Sequence, residues 1–164
     1  MSCRRILGRM GVMEFELERT VNAPIDAVFA RLADIKGYND WMPRKGSIRR
    51  HTEQTSPGEP TAGTSYVDQT RFGPTPGDIA EFQPPDRLVY HWWNRSKSGK
   101  TKFEGWPGYS LVVKDASTTL VRHDAKMQAY GLYRLASPML RRMAVRERTT
   151  TIDALQASFA ATSV

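Results

Sequence analysis

A strand that stops and a helix that starts on a proline meet in Val21-Asn22-Ala23-Pro24-Ile25-Asp26-Ala27-Val28-Phe29, and this stretch constrains the fold more than any other. Just upstream, Glu14-Phe15-Glu16-Leu17-Glu18 alternates acidic and apolar residues with the period of a half-buried strand. Pro24 suits a first helical position, where its missing N–H costs nothing, and Asn22 is a nearby candidate cap. Ile25, Val28, Phe29 and Leu32 then fall on one apolar stripe. A second helical turn is expected from Ile35 to Asp40, stopped by Pro43 after Trp41 and Met42.

The next part of the chain reads as short strands separated by turn chemistry. Ser47 to Thr55 is polar and expected at a sheet edge. From Thr64 to Phe72, Tyr66, Asp68, Thr70 and Phe72 alternate with Val67, Gln69 and Arg71. Gly73-Pro74 and Pro76-Gly77 predict a tight connection into a strand from Asp78 to Phe82. Pro84-Pro85-Asp86 marks a turn before a strand from Arg87 to Asn94. Residues 95–107, carrying Lys97, Lys100, Lys102, Gly99, Gly105 and Pro107, predict a mobile loop. Tyr109 to Lys114 and Thr118 to Ala129 pair across the turn at Asp115-Ala116-Ser117.

Ser137-Pro138 predicts the start of a long helix, with Leu140, Ala144, Thr151, Leu155 and Phe159 on one face and Ile152 beside them. Arg148 lies near the centre of that stripe, with Met139 and Met143 to one side. Such an imperfect face suits a helix that roofs a cavity, because methionine conforms to irregular contents.

With 164 residues, the chain can build one domain with a real core; 40% hydrophobic and 25% charged residues is an ordinary globular balance. Residues 1–12 are expected to be a disordered basic extension ahead of a single domain over residues 13–164, with Met1, Met10 and Met13 all candidate starts. The extension lacks the apolar run of about 7–15 residues of a signal peptide, and no run of about 18 apolar residues is present to span a membrane. The only cysteine, Cys3, lies in the extension, so no internal disulfide is expected and a cytoplasmic location follows.

A formal charge of +7 invites a nucleic-acid reading, but its placement argues against one. Arg4, Arg5 and Arg9 sit in the extension, and Arg134, Arg141, Arg142, Arg146 and Arg148 crowd one late segment. That segment reads either as a solvated helix face or as a peripheral membrane contact through Arg134, Arg141, Arg142 and Arg148.

Three motifs in this order resemble the START-like (SRPBCC) superfamily, which includes polyketide cyclases, dehydrases and lipid-binding proteins. The first is Asn22-Ala23-Pro24-Ile25-Asp26-Ala27-Val28-Phe29 with Ala33-Asp34 and Trp41. The second is Gly63-Thr64-Ser65-Tyr66 followed by Glu81-Phe82-Gln83-Pro84-Pro85-Asp86-Arg87-Leu88. The third is Tyr109-Ser110-Leu111 followed by Thr118-Thr119-Leu120-Val121 and the terminal helix. The resemblance covers residues 14–160. It implies an α+β helix-grip fold: a curved antiparallel sheet of about seven strands around a long C-terminal helix, with two short helices after the first strand. It also implies an internal cavity.

No cofactor or metal is expected, because the sequence has no Cys/His cluster at metal spacing, no Gly-rich phosphate loop and no Gly-x-Ser-x-Gly elbow. The candidate ligand-binding residues are the aromatics Trp41, Tyr66, Phe72, Trp92 and Tyr109, joined by Met139 and Met143. Tyr90, Trp93 and Trp106 belong to the same aromatic set, which suits a planar or steroid-like ligand or else fills the core.

His51 reads as solvated, and alternation leaves open which way His91 and His123 point. Tyr66 and His123 are the candidate catalytic residues: if His123 faces inward it can form a proton-transfer pair with Tyr66 or Tyr109, and if it does not it is a half-exposed strand residue. The resemblance to polyketide aromatases makes Arg71, Tyr66 and Asp68 available to a polar substrate chain, although alternation turns Arg71 away from the other two.

The leading expectation is a protein that binds a hydrophobic or aromatic small molecule (lipid, sterol or polyketide-like) as carrier, sensor or sequestering protein. The alternatives are a cyclase, aromatase or dehydratase using the same cavity, and a docking module built on the arginine-rich helix. The Trp92-to-Trp106 loop and the Pro74-Thr75-Pro76 turn are the expected gates. Nothing in the sequence fixes an oligomeric state.

Overall fold

The structure, a computed structural model, describes residues 11–43 and 45–160. Cys3 and residues 1–10 of the expected extension lie outside the described residues. Strand β1 (Val12–Val21) buries Met13 and packs Leu17 against the core, while Glu14, Glu16 and Glu18 are exposed, as the alternation requires.

Helix α1 (Ile25–Ala33) follows and buries Val28, Phe29 and Leu32. Asn22 does not cap it. The turn is closed by the Ala23 N–H on the Val21 carbonyl at 3.0 Å, which leaves Asn22 exposed at the apex and too far upstream. Pro24 sits just outside the helix, and its carbonyl accepts from the Val28 N–H at 3.1 Å. A second short helix, α2 (Tyr38–Trp41), ends at Met42.

Six further strands follow: β2 (Arg49–Gln54), β3 (Ser65–Thr70), β4 (Gly73–Gln83), β5 (Arg87–Arg95), β6 (Thr101–Asp115) and β7 (Thr118–Ala129). They form one antiparallel sheet with β1, in the order β1-β7-β6-β5-β4-β3-β2. A 3-10 turn (Gly131–Ala136) leads into the long helix α3 (Ser137–Ala160), which lies across the sheet. This is the α+β helix-grip arrangement, with β2 at an edge as expected. Ser137 opens α3 as predicted, but its hydroxyl donates to the Arg134 carbonyl at 2.7 Å rather than accepting from the helix's first N–H groups. Among the described residues, no helix is long and apolar enough to cross a membrane.

The sequence expectation fails at two turns, for one reason. Pro74, Thr75 and Pro76 are not a connection; they belong to β4, opposite Gln69, Asp68 and Val67 of β3. Proline is tolerated because β5 pairs with β4 only from Gly77 onward, so this stretch has a neighbour on one side and behaves as an edge.

Likewise, residues 101–107 are strand, and the expected loop shrinks to residues 96–100. Gly105 is in β6 because the Trp92 ring of β5 lies against it: a Cβ there would meet the indole at 2.6 Å. Local propensity alone puts Pro74, Pro76 and Gly105 in turns, whereas their cross-strand partners keep them in the sheet. The expected gate at 74–76 is therefore paired strand, and of the one at 92–106 only residues 96–100 remain a loop.

The core divides into two clusters. The larger joins Val21, Val28, Leu32, Ile79, Leu88 and Val121 to Ile152 and Leu155 from the second half of α3. The smaller is Met13, Met127 and Ala129, with Trp92, Leu140 and Ala144 against it. Helix α3 is thus anchored by its C-terminal half, and its N-terminal half overlies little packed core.

Gly105→Ala should destabilise the protein by about 1–3 kcal/mol, the usual cost of overpacking, and should shift Trp92 fluorescence. Thermal melts and emission spectra check this; an unchanged melting temperature would contradict the packing described.

Candidate ligand-binding cavity

Under the first half of α3 lies a cavity of about 320 Å³ that the two clusters leave unfilled. Phe15, Trp92, Phe103 and Ala125 line it from the sheet, and Met139, Leu140, Met143 and Ala144 from the helix. Its inner wall is polar, with Arg49, Asp68, Glu147 and Arg148. A small hollow of about 20 Å³, room for roughly one water, adjoins it and shares Arg49, Asp68, Trp92, Pro107 and Arg148. Tyr38, Tyr66, Tyr90 and Tyr109 close that inner end. The cavity is therefore amphipathic: apolar towards the exposed Phe72 and Met139, polar at depth.

The polar end is organised by named contacts. Asp68 accepts from the Thr52 hydroxyl at 2.6 Å and lies 3.3 Å from the Arg49 guanidinium. Burial alone would lower the Arg49 pKa, but Asp68 beside it carries the value above its ordinary range. Glu147 is buried on α3 and accepts from the Ser47 hydroxyl and, at 2.9 Å, from the Ile48 N–H. Those bonds tie the roof helix to the segment entering β2.

Tyr66 packs its ring over Gly77, its partner in β4, where a Cβ would meet the phenol at 2.5 Å. Tyr38, Tyr66 and Tyr90 have pKa values well above the ordinary phenol, chiefly through burial, so all three remain neutral O–H groups. Tyr90 donates to the Leu32 carbonyl at 2.8 Å. Asn94 Oδ1, on the cavity wall, is buried without a donor among the described residues.

The predicted site residues separate into groups. Tyr66 and Tyr109 line the inner hollow, Trp92 lines both hollows, and Phe72, Met139 and Met143 line the larger one. Trp41 stands apart: it packs on Tyr38 at 4.8 Å and borders an open groove of about 1080 Å³ between α1 and α3. That groove is wider than the cavity, yet it is open along its length and walled mostly by alanines and acidic residues, which gives an apolar ligand little to enclose it. Of the wider aromatic set, Tyr90 faces inward, whereas Trp93 and Trp106 group with His91. His91 is held between Glu104 at 2.8 Å and Asp78 at 3.6 Å. Arg71 and His51 are exposed.

His123 is fully buried, stacked on Tyr109 at 4.4 Å, with Nδ1 bonded to the Gly108 carbonyl at 2.8 Å. Its Nε2 has no partner among the described residues, and the ring borders neither hollow. It is not the half-exposed residue that the surface alternative supposes. Burial first, then the positive charge of Arg148, push its pKa down to about 3.

Nor do the four arginines expected on one docking face share a surface. Arg134 and Arg142 are exposed and Arg141 is half-buried, but Arg148 lines the cavity. It stands one helical turn after Ala144, on the inner face. No sequence pattern points to Arg49, Asn94 or Glu147 as cavity residues; the position of Arg148 on the apolar stripe is the one available signal. Among the described residues, no group of three or more His, Cys, Asp or Glu is placed to hold a metal ion.

No model of a known protein family matches the chain, and no curated protein matches it. Solved structures do. The Zhui aromatase/cyclase from Streptomyces sp. R1128 superposes with a TM-score of 0.74 at 16% identity, covering 91% of this chain and 94% of that one. This is a START-like fold. A START superfamily protein from Mycobacterium smegmatis matches with a TM-score of 0.67 at 14% identity, covering 93% and 99% of the two chains. The di-domain ARO/CYC StfQ of the steffimycin biosynthetic pathway matches with a TM-score of 0.71 at 13% identity, covering 93% of this chain and 52% of that one. The START-like fold accounts for the sheet and the helix order.

The buried imidazole makes stability depend on pH. His123 takes up a proton near pH 6.5 in the unfolded chain but only near pH 3 in the folded one. Between those values the unfolded state binds more protons, so its contribution is full above about pH 6.5 and is lost as pH falls towards about 3. From pH 7 to pH 5 the wild type should lose about 2 kcal/mol more stability than His123→Asn, at about 1.4 kcal/mol per pH unit. Urea denaturation at both pH values measures the difference, and equal losses would refute the assignment.

Proposed function

We propose that the protein binds a hydrophobic or aromatic small molecule between the sheet and the first half of α3, as a carrier, sensor or sequestering protein. The observation that carries this reading is the mainly apolar cavity of about 320 Å³ between sheet and helix, within the range of small-molecule sites. A ligand burying about 200 Å² of apolar surface there gains about 5 kcal/mol before ordering costs. Met139 and Met143 at the roof can adapt to ligands of different outline. The likeness to two aromatase/cyclases, Zhui and StfQ, supports a polyketide-like ligand, with a lipid or a sterol as alternatives of the same apolar class. A cytoplasmic location, inferred from the sequence, is part of the same proposal.

A second reading is a cyclase-, aromatase- or dehydratase-type enzyme working in this cavity, favoured by the neutral Tyr66 hydroxyl at its polar end. His123 contributes little to that reading, since an imidazole with a pKa of about 3 is a weak base at neutral pH. Under it, Tyr66→Phe abolishes turnover of a polyketide-like substrate while affinity changes only a few-fold.

Ala144→Phe tests the first reading, because the larger side chain projects into the cavity. A fatty acid, sterol or polycyclic aromatic that stabilises the wild type in thermal-shift assays should bind the variant at least tenfold more weakly, with melts of the unliganded variant confirming that it folds. Unaltered affinity would place the ligand elsewhere.

A further inference from the structure

We propose that the cavity selects a ligand whose apolar body ends in an anionic group, a carboxylate or an enolate-like oxygen, and that Arg148 holds that group. This rests on the cavity being the ligand site and narrows the ligand's chemistry. Arg148 is half-buried, lines both hollows, and among the described residues makes no hydrogen bond or ion pair.

The neighbouring charges on the wall are already engaged. Asp68 is taken by Arg49 and the Thr52 hydroxyl, and Glu147 by Ser47 and the Ile48 N–H. Glu147 also adjoins Arg148 in sequence, and consecutive helical residues do not face each other. Lys126, the third cation at the cavity beside Arg49 and Arg148, is exposed and places its ammonium over the Trp106 ring at 5.6 Å. The charge of Arg148 acts on the neutral Tyr66 phenol and on the His123 imidazole.

A half-buried guanidinium with no bound partner is costly, and a ligand that supplies a counter-ion lowers that cost. The planar fork of arginine matches a carboxylate with two parallel bonds. The polarity gradient of the cavity then fixes the pose. The anionic end goes inward to Arg148, beside the neutral Tyr66, and the apolar body extends outward past Phe103 to Met139 and Met143.

The test uses the full chain and two acid–alcohol pairs: decanoate with decanol, and anthracene carboxylate with anthracene methanol. Affinities are measured by calorimetry or fluorescence for the wild type, Arg148→Met and Arg148→Lys, with melts confirming that each variant folds and Arg148→Gln replacing any that does not. The wild type is expected to bind at least one acid tenfold or more tightly than its alcohol. Arg148→Met should erase that preference while holding the alcohol within about threefold, and Arg148→Lys should keep part of it. An alcohol bound as tightly as its acid, or a preference that survives in Arg148→Met, overturns the proposal and leaves the cavity reading standing. Failure of all four probes to bind the wild type overturns both.

Discussion

The bond between Glu147 and the segment entering β2 decides how this molecule can contain a cavity at all. The second half of α3 is held by the larger core through the fully buried Ile152 and Leu155, whereas the first half has only Leu140 and Ala144 against the smaller cluster. There, Glu147 reaches across to Ser47 and Ile48 and holds the helix over the sheet by hydrogen bonding. A buried polar group needs partners, and here the partners lie on the opposite wall, so satisfying it also fixes the width of the space beneath. Apolar residues in its place would draw the helix down and fill the hollow.

Around that tie the polar groups follow a gradient. The inner end gathers Arg49, Asp68, Arg148 and a set of buried tyrosines, whereas the outer end is phenylalanine and methionine. Such sites take most of their affinity from apolar burial and their orientation from a few polar contacts. The glycines of β4 and β6 serve the same space. Gly77 and Gly105 let Tyr66 and Trp92 lie flat on the neighbouring strand, so the aromatic rings form the wall instead of crossing the gap.

Much of the architecture was legible because it is written locally. The alternation in β1, the apolar stripe of α1, the turn at Asp115-Ala116-Ser117 and the start of α3 each depend on a few adjacent residues. The errors came where a distant partner overrides local preference. Pro74 and Pro76 read as a turn until β3 is seen opposite them, and Gly105 reads as loop until Trp92 is seen against it. The site was less legible for the same reason. Tyr66, Trp92 and Tyr109 follow from aromatic content, but Arg49 and Asp68 meet only through the β2–β3 pairing, and Glu147 reaches Ser47 across 100 residues of sequence. Arg148 was visible as a charge in an apolar stripe, a departure from pattern that marks a functional position more often than a packing fault.

The split anchoring of α3 also divides that one helix dynamically. Free energies of local opening follow packed apolar contact, so they should decline along α3 from Leu155 towards Met139. In amide hydrogen exchange the helix would then behave as two segments, a slow one continuous with the sheet and a faster one over the cavity. A bound ligand would slow the faster segment alone and leave the other at its original rate, so the roof itself would report occupancy without any change in the fold.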